Sequence, residues 1–78
     1  MSYDGELVGF NIRVERTKAR MTQQDLAKAT GIDATTISKY EKGVTTPGID
    51  KAFAIVRALG CTLDDICPVP VPTAPGVA

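Results

Sequence analysis

The chain has 78 residues and 44% hydrophobic content, which suffices for one small globular core and leaves no length for a second domain of ordinary size. Nine Lys and Arg residues balance nine Asp and Glu residues, and the formal charge of zero argues against a strongly polyanion-binding protein of the histone-like class. The sequence contains no His, the commonest general base and transition-metal ligand, and Cys61 and Cys67 match no zinc-binding spacing. We therefore expect no metal site, no cofactor and no His-dependent hydrolase.

Neither a membrane span nor a secretion signal is expected. No apolar run approaches the roughly 18 to 20 residues of a membrane-spanning helix. The N-terminus has no basic segment followed by an apolar stretch. The expectation is a cytoplasmic protein without membrane contact, and in a reducing cytosol its two thiols should stay reduced, buried and unreactive.

The first helix is predicted over residues 5–20 by apolar residues at helical spacing. One face carries the residues expected to enter the core: Val8, Ile12 and Ala19. Another side carries a second apolar stripe, here called the N-terminal stripe: Tyr3, Leu7, Phe10 and Val14. Since two apolar faces on one surface helix need two partners, this stripe is predicted to pack either on the chain's own segment around Val69 and Val71 or on a second subunit. Residues 60–67 are the other candidate for a subunit interface.

Two further short helices are predicted next, over residues 23–30 and 34–42. Thr22 is a favourable N-cap for the first of them, because Asp25 stands at the third helical position and can complete a capping box. Gly31 can adopt the positive φ of a tight corner, and Asp33 is predicted to cap the next helix. The residues expected to face inward are Leu26, Ala27, Ile32, Ile37 and Tyr40.

A fourth helix is predicted over residues 49–59, with Gly60 as its stop. Its apolar residues at helical spacing are Ile49, Ala52, Phe53, Val56 and Leu59. Thr62 is expected to cap a last turn or two that contains Leu63 and Ile66. Beyond it, four residues forbid both a helix and a central strand: Pro68, Pro70, Pro72 and Pro75. The prediction is an all-α domain over residues 1–67, followed by an extended Pro-rich tail over 68–78.

The most informative pattern is the pair of short helices on either side of Gly31. Two short helices joined by a turn of three or four residues have the spacing of a helix-turn-helix, with Ile32 and Ile37 locking the corner from inside. In that arrangement the second helix can enter a DNA major groove, which is about 12 Å wide, while the start of the first abuts the phosphates. Residues 11–48 hold seven basic and four acidic groups, a net charge of +3, so the motif is more basic than the chain as a whole.

On these residues the chain resembles the Cro/C1-type (xenobiotic-response-element) helix-turn-helix family of bacterial and phage transcription regulators. The resemblance spans about residues 8–66 and rests on Arg16, Leu26-Ala27, Gly31-Ile32, Ile37, Glu41-x-Gly43, Pro47, Leu59-Gly60 and Leu63-x-x-Ile66. It implies a compact five-helix, lambda-repressor-like domain that binds double-stranded operator DNA as a symmetric homodimer. It also implies a structural ion pair between Arg16 and Glu41.

The resemblance also implies which residues contact DNA: Thr22, Gln23, Ala34, Thr35, Ser38, Lys39 and Lys42. Gln23 resembles the family's glutamine that contacts the DNA backbone, and it stands with Thr22 where a helix start can hold a phosphate. On the next helix, Lys39 is expected to donate to guanine, and Thr35 and Ser38 to bond a base or a phosphate. The methyl of Ala34 or Thr35 would touch a thymine methyl. Asp33 departs from the uncharged Ser or Thr often found at its position.

Two hypotheses of different classes follow. The first is a sequence-specific, repressor-like transcriptional regulator of a phage or bacterium, which places the helix over about 34–42 in the major groove of a palindromic operator. The alternative is a protein-interaction module on the same fold, such as an antitoxin or antirepressor. The near-zero net charge, the N-terminal stripe and the Pro-rich tail motivate this alternative. An enzyme is not expected, because no nucleophile–base pair or phosphate-binding Gly-rich loop is present.

Overall fold

The structure, a computed structural model, describes residues 5–67 and contains five helices in this range. They are α1 (Gly5–Lys18), α2 (Gln23–Thr30), α3 (Ala34–Glu41), α4 (Ile49–Leu59) and α5 (Leu63–Ile66). The predicted all-α, five-helix class is confirmed for this part of the chain. The predicted Pro-rich tail over 68–78 lies outside the described residues, as do Tyr3, Val69 and Val71.

Local capping chemistry explains where α2 begins and ends. The Thr22 hydroxyl accepts a hydrogen bond from the Asp25 N–H over 3.0 Å, and the Asp25 carboxylate accepts one from the Thr22 N–H over 2.9 Å. This is the predicted capping box, and Thr62 forms the same reciprocal pair with Asp65 at the start of α5. At the other end of α2, Gly31 has a φ of 77°, as the tight corner requires.

Asp33 is the N-cap residue of α3, as predicted, and its backbone is extended there. Its side chain makes no capping hydrogen bond, so the carboxylate does not contribute to the cap as the residue type suggests. An Asp at the N-cap position forms a capping hydrogen bond only if its side-chain rotamer points the carboxylate at the free N–H groups of the first helical turn. The sequence does not specify that rotamer.

The first helix is shorter than predicted, because it ends at Lys18 instead of Arg20. Arg20 has a φ of 60°, which lies in the left-handed region and cannot continue a right-handed helix. Ala19 therefore falls in the turn and is exposed, so the prediction that it enters the core is wrong. The third helix likewise ends one residue early, at Glu41, with Lys42 as its C-cap.

The core is built from apolar residues of all five helices and the turn after α2. Its buried members are Val8, Ile12, Leu26, Ile32, Ile37, Tyr40, Ala52, Ile55, Val56 and Ile66. In α4 the predicted stripe is partly wrong, because Ile49 is 65% and Phe53 is 49% exposed, whereas Ile55 is fully buried. Two apolar stripes are possible on this helix, one formed by residues 49, 53 and 56 and the other by residues 52, 55, 56 and 59. Packing of α4 against α2 buries the second stripe.

A glycine brings α1 close to α3. A side chain at Gly9 would collide with the Tyr40 carbonyl oxygen and lie 2.9 Å from the Glu41 carbonyl oxygen, so the end of α3 packs directly on the α1 backbone. On another side of α1, the Asn11 side-chain amide donates to the Ile66 carbonyl over 3.2 Å and ties α5 to the first helix. These contacts place α3 and α5 against different sides of α1.

The described part of the N-terminal stripe remains at the surface. Leu7 is 42%, Phe10 is 59% and Val14 is 36% exposed. The segment around Val69 and Val71, which is one of its two predicted partners, lies outside the described residues. Both predicted partners of the stripe, this segment and a second subunit, therefore stay predictions.

Candidate nucleic-acid interface

The turn between α2 and α3 is held by the Thr30 hydroxyl. This hydroxyl donates to the Leu26 carbonyl over 2.7 Å and accepts from the Ile32 N–H over 3.1 Å. Ile32, only 6% exposed, anchors the same corner from the core side. These hydrogen bonds and the burial of Ile32 together hold the corner between α2 and α3. Sequence reasoning missed the role of Thr30, although a Thr just before a helix-ending glycine is a usable signal.

The third helix turns one face inward and the other outward. Ile37 and Tyr40 are buried, as predicted. On the outward face, Thr35, Lys39 and Lys42 are exposed, whereas Ala34 and Ser38 are half-buried. The four α3 residues predicted to contact DNA, and Lys42 at the C-cap, are thus accessible to different degrees, and Lys39 and Lys42 supply positive charge.

A network of charged and amide groups connects α1, α2 and α3. Arg16 donates to both carboxylate oxygens of Glu41, over 2.7 Å from Nε and 3.0 Å from Nη2. Its Nη1 also donates to the Met21 carbonyl over 2.8 Å, which holds the turn before α2. The side chains of Arg16 and Glu41 are only 15% and 5% exposed. The ion pair expected from the family resemblance is present.

The pKa of Arg16 is raised, chiefly by its hydrogen bonds to Glu41 and in part by the nearby negative charge, against the opposing effect of burial. The guanidinium is therefore charged at neutral pH. A buried pair of this kind is costly to break from one side only, because the remaining charge loses its partner.

The same carboxylate holds Gln23, the first residue of α2. The Gln23 side-chain amide donates to Glu41 Oε1 over 3.1 Å. An amide nitrogen carries two hydrogens, so one bond to Glu41 leaves a second donor for another acceptor. Gln23 is thereby oriented by α3, although it lies on α2. Thr22 is exposed beside it, and its hydroxyl oxygen and N–H are engaged in the capping box.

Two surface depressions meet at Gln23. The first brings three of the predicted site residues together with three others: Gln23, Ser38 and Lys42 with Arg13, Arg16 and Glu41. The second shares Arg16 and Gln23 with the first and is lined by Arg16, Thr17, Arg20, Met21, Thr22, Gln23 and Gln24. Ala34 lies apart from both, in a depression at the α2–α3 corner that also includes Asp33 and Lys28.

Sequence reasoning missed two cations beside Gln23. Arg13 and Arg20 are exposed, and they line the first and the second of these depressions respectively. Because Glu41 is already paired with Arg16, the charged residues of these two depressions that form no ion pair in residues 5–67 are Arg13, Arg20 and Lys42. The four basic residues between 13 and 20 were a signal in the sequence, but only the packing of α1 shows which of them lie beside α2.

Features typical of other site classes are not found in residues 5–67. No group of three or more His, Cys, Asp or Glu residues in this range could hold a metal ion. None of the five helices is long and apolar enough to cross a membrane. Cys61 and Cys67 are half-buried and are not joined in a disulfide, and burial is the main cause that raises the pKa of Cys61. A raised thiol pKa disfavours the reactive thiolate.

Comparison with known proteins identifies the family. The Helix-turn-helix family model matches residues 12–66. The repressor protein C2 of Salmonella phage P22 is 34% identical over 59 residues, which are 76% of this chain and 27% of the repressor. An uncharacterized HTH-type transcriptional regulator of Archaeoglobus fulgidus is 38% identical over 55 residues, which are 70% of this chain and 78% of that protein. This chain therefore corresponds to about a quarter of the phage repressor and to most of the archaeal protein.

Solved structures agree with this assignment. The P22 c2 repressor in complex with a synthetic operator superposes with a TM-score of 0.75 at 32% identity, over 80% of this chain and 94% of that one. The restriction-modification controller protein C.Esp1396I superposes with a TM-score of 0.72 at 31% identity, over 80% of each chain. The predicted Cro/C1-type resemblance is confirmed, and the chain belongs to the helix-turn-helix family.

Proposed function

We propose that this chain is a sequence-specific, repressor-like transcriptional regulator that inserts its third helix, about residues 34–42, into the major groove of a palindromic operator. The main structural support is the Gln23–Glu41 hydrogen bond, which couples the start of α2 to the outward-facing α3. A group for the DNA backbone and a surface for base edges are thus held in one rigid arrangement. The family membership and the operator complex of the similar P22 c2 repressor support the same function.

The residues divide into two roles. Lys39 and Ser38 are proposed to reach base edges, with Lys39 donating to guanine, while Ala34 or Thr35 contacts a thymine methyl. Gln23, Thr22 and Lys42 are proposed to contact phosphates, which fix the register of the protein on the duplex without reading its sequence.

The active form is proposed to be a homodimer in the cytoplasm, with half-sites about one helical turn, or ~34 Å, apart. The modest charge of the motif makes dimerisation important, since few phosphate contacts are available to each protomer. No enzymatic turnover is proposed.

The second candidate function is protein interaction on the same fold, as in an antitoxin or antirepressor. The observation that favours it is the exposure of Leu7, Phe10 and Val14 along one side of α1. Apolar residues grouped in this way are typical of surfaces that other proteins cover. Recovery of one stoichiometric protein partner, with duplex affinity no better than for random DNA, would favour this second function.

Selection from a pool of random-sequence DNA duplexes tests the first function, because it samples every possible operator sequence at once. The purified full chain should enrich a palindromic sequence and shift it in a gel, and Lys39→Ala should weaken that shift. Lys51→Ala is the matched control, because Lys51 is an exposed lysine on α4, outside the proposed contact residues. Failure of the folded chain to enrich any sequence at low salt would contradict the proposal.

A further inference from the structure

Arg20, in the turn between α1 and α2, combines an unfavourable backbone conformation with a long cationic side chain. Its φ is 60°, and it is the one non-glycine residue with positive φ in residues 5–67. In this left-handed region the Cβ of an L-residue crowds its own backbone, and glycine or asparagine is favoured instead. Strain of this kind persists at functional positions more often than elsewhere.

Within residues 5–67 the Arg20 side chain makes no hydrogen bond or ion pair. Arg20 is exposed, and its hydrogen bond within residues 5–67 is made by the backbone, from its N–H to the Thr17 carbonyl. Arg16, in contrast, is committed to Glu41 and Met21. The guanidinium of Arg20 therefore carries a full positive charge that folding does not require.

The surroundings of Arg20 favour an anion. The depression that it lines contains Thr22, Gln23 and Gln24, and no Asp or Glu of residues 5–67 is among its lining residues. The Asp25 carboxylate, which lies next to Thr22, accepts a hydrogen bond from the Thr22 N–H over 2.9 Å. The cation that shares it, Arg16, is neutralised by Glu41. An incoming anion would thus meet one uncompensated guanidinium, neutral amides and a hydroxyl group. Arg is suited to this task because its planar fork can donate two parallel hydrogen bonds to a phosphate.

We infer that Arg20 is a further DNA-contacting residue, which binds a backbone phosphate beside the one proposed for Gln23. This inference rests on the proposed function. Arg20 lies before α2, on the side of Thr22 and Gln23, and not on the outward face of α3. Its contact therefore strengthens binding to every DNA sequence and does not select among sequences.

Two substitutions separate charge from backbone conformation. Arg20→Asn removes the charge and places a residue that tolerates positive φ, so the fold should be as stable as the parent or more so. Arg20→Lys keeps the charge in the same place. Arg57→Gln is the control, because Arg57 is an exposed arginine in the last turn of α4 and lines neither depression at Gln23.

The measurement is the dissociation constant between 50 and 200 mM salt, by fluorescence anisotropy, for two 24-base-pair duplexes. One has the sequence enriched by the wild-type chain, and the other is a scrambled version of it. Arg20→Asn should weaken binding to both duplexes by the same factor. It should lower the slope of log affinity against log salt by ~0.9 for each bound protomer. For a bound dimer, the affinity lost between 50 and 200 mM should therefore become smaller by roughly twelvefold. Arg20→Lys and Arg57→Gln should keep the wild-type slope, and the thermal midpoint of Arg20→Asn should not fall.

The possible failures are distinguishable. If the wild-type chain binds the selected duplex and Arg20→Asn matches it in affinity and salt slope, the inference about Arg20 is overturned while the proposed function stands. The inference about Arg20 would also be overturned if Arg57→Gln lowered the salt slope as much as Arg20→Asn does. The lower slope would then reflect the change in net charge and not a specific contact of Arg20. If the folded wild-type chain enriches no sequence and binds no duplex at 50 mM salt, both the proposed function and the Arg20 contact are overturned.

Discussion

Gln23, the first residue of α2, donates a hydrogen bond to Glu41, the last residue of α3, over 3.1 Å. Glu41 is in turn fixed by two hydrogen bonds from Arg16 of α1. Three helices thus meet at one nearly buried carboxylate, and the amide proposed to meet a DNA phosphate is part of that network. Because the same groups stabilise the fold and orient the proposed DNA contact, we expect stability and DNA affinity to be linked at this point.

Replacement of Glu41 tests how much its carboxylate stabilises the fold. Glu41→Gln leaves the charge of Arg16 without its partner, and we expect the free energy of unfolding to fall by about 2 to 3 kcal/mol. This is slightly below the range for a fully buried pair because the Arg16 side chain keeps 15% exposure. Urea unfolding followed by circular dichroism measures the change. Glu15→Gln is the control, since its 3.4 Å pair with the well-exposed Lys18 should contribute no more than ~0.5 kcal/mol. Equal effects of the two substitutions would contradict the role given to Glu41.

The acidic residues of the capping boxes predict how stability depends on pH. Hydrogen bonds from the Thr22 and Thr62 backbone N–H groups are the main cause that lowers the pKa of Asp25 and of Asp65. These carboxylates take up protons more readily in the unfolded chain than in the folded one. Their contribution to the free energy of unfolding is therefore present above their unfolded pKa, about 3.9, and is lost as the pH falls through their folded pKa values. The urea midpoint should therefore drop between pH 5 and pH 3. In the double variant Asp25→Asn, Asp65→Asn this drop should become smaller, and a drop of unchanged size would contradict the assignment.

The close approach of α1 and α3 predicts the effect of a methyl group at Gly9. Gly9→Ala places a carbon against the backbone carbonyls of Tyr40 and Glu41, which cannot move without shifting α3. We expect a loss of about 3 kcal/mol, at the upper end for overpacking. At Gly48 the added carbon would have its nearest neighbour 3.4 Å away, at the Asp50 carboxylate. Gly48→Ala should therefore cost less than about 1 kcal/mol. If Gly9→Ala is as well tolerated as Gly48→Ala in thermal unfolding, the described packing of α1 on α3 is incorrect.

The two N-caps of the helix-turn-helix should respond differently to truncation. Thr22→Ala removes a hydroxyl that caps α2, and a loss of about 1 kcal/mol is expected. Asp33→Ala removes a side chain that makes no capping bond, so the loss should stay below ~0.5 kcal/mol. Chemical denaturation of both variants at pH 7 measures the difference. A larger loss for Asp33→Ala than for Thr22→Ala would show that the Asp33 carboxylate caps α3 after all.

Much of this fold was predictable because the residues that begin and end its helices act locally. Gly31 and Gly60 end helices, and Thr22 with Asp25 begins one, through interactions within a few residues of chain. The orientation of Phe53 was not predictable in the same way. Two stripes on α4 were equally apolar, and contact with α2 decided between them. The closeness of Gly9 to Tyr40 likewise depends on how two helices cross, which no local pattern specifies.

The candidate site likewise contains features that local sequence patterns predict and features that depend on tertiary packing. The exposed positions of Thr35 and Lys39 follow from helical periodicity once Ile37 and Tyr40 are taken as buried. The bond between Gln23 and Glu41 joins residues 18 positions apart in the chain, so it depends on the packed arrangement of three helices. The importance of Arg20 was hidden for a different reason, because its positive φ at a non-glycine residue carries no signal in the sequence.

The most direct test of the central claim is the ratio of dissociation constants for the selected duplex and its scrambled version. If α3 reads base edges, Lys39→Ala should reduce that ratio by about tenfold to a hundredfold, the discrimination given by one good base contact. Gln23→Ala should instead weaken binding to both duplexes and leave their ratio close to that of the wild-type chain. An unchanged ratio in Lys39→Ala, or a wild-type chain that binds both duplexes equally, would contradict the account.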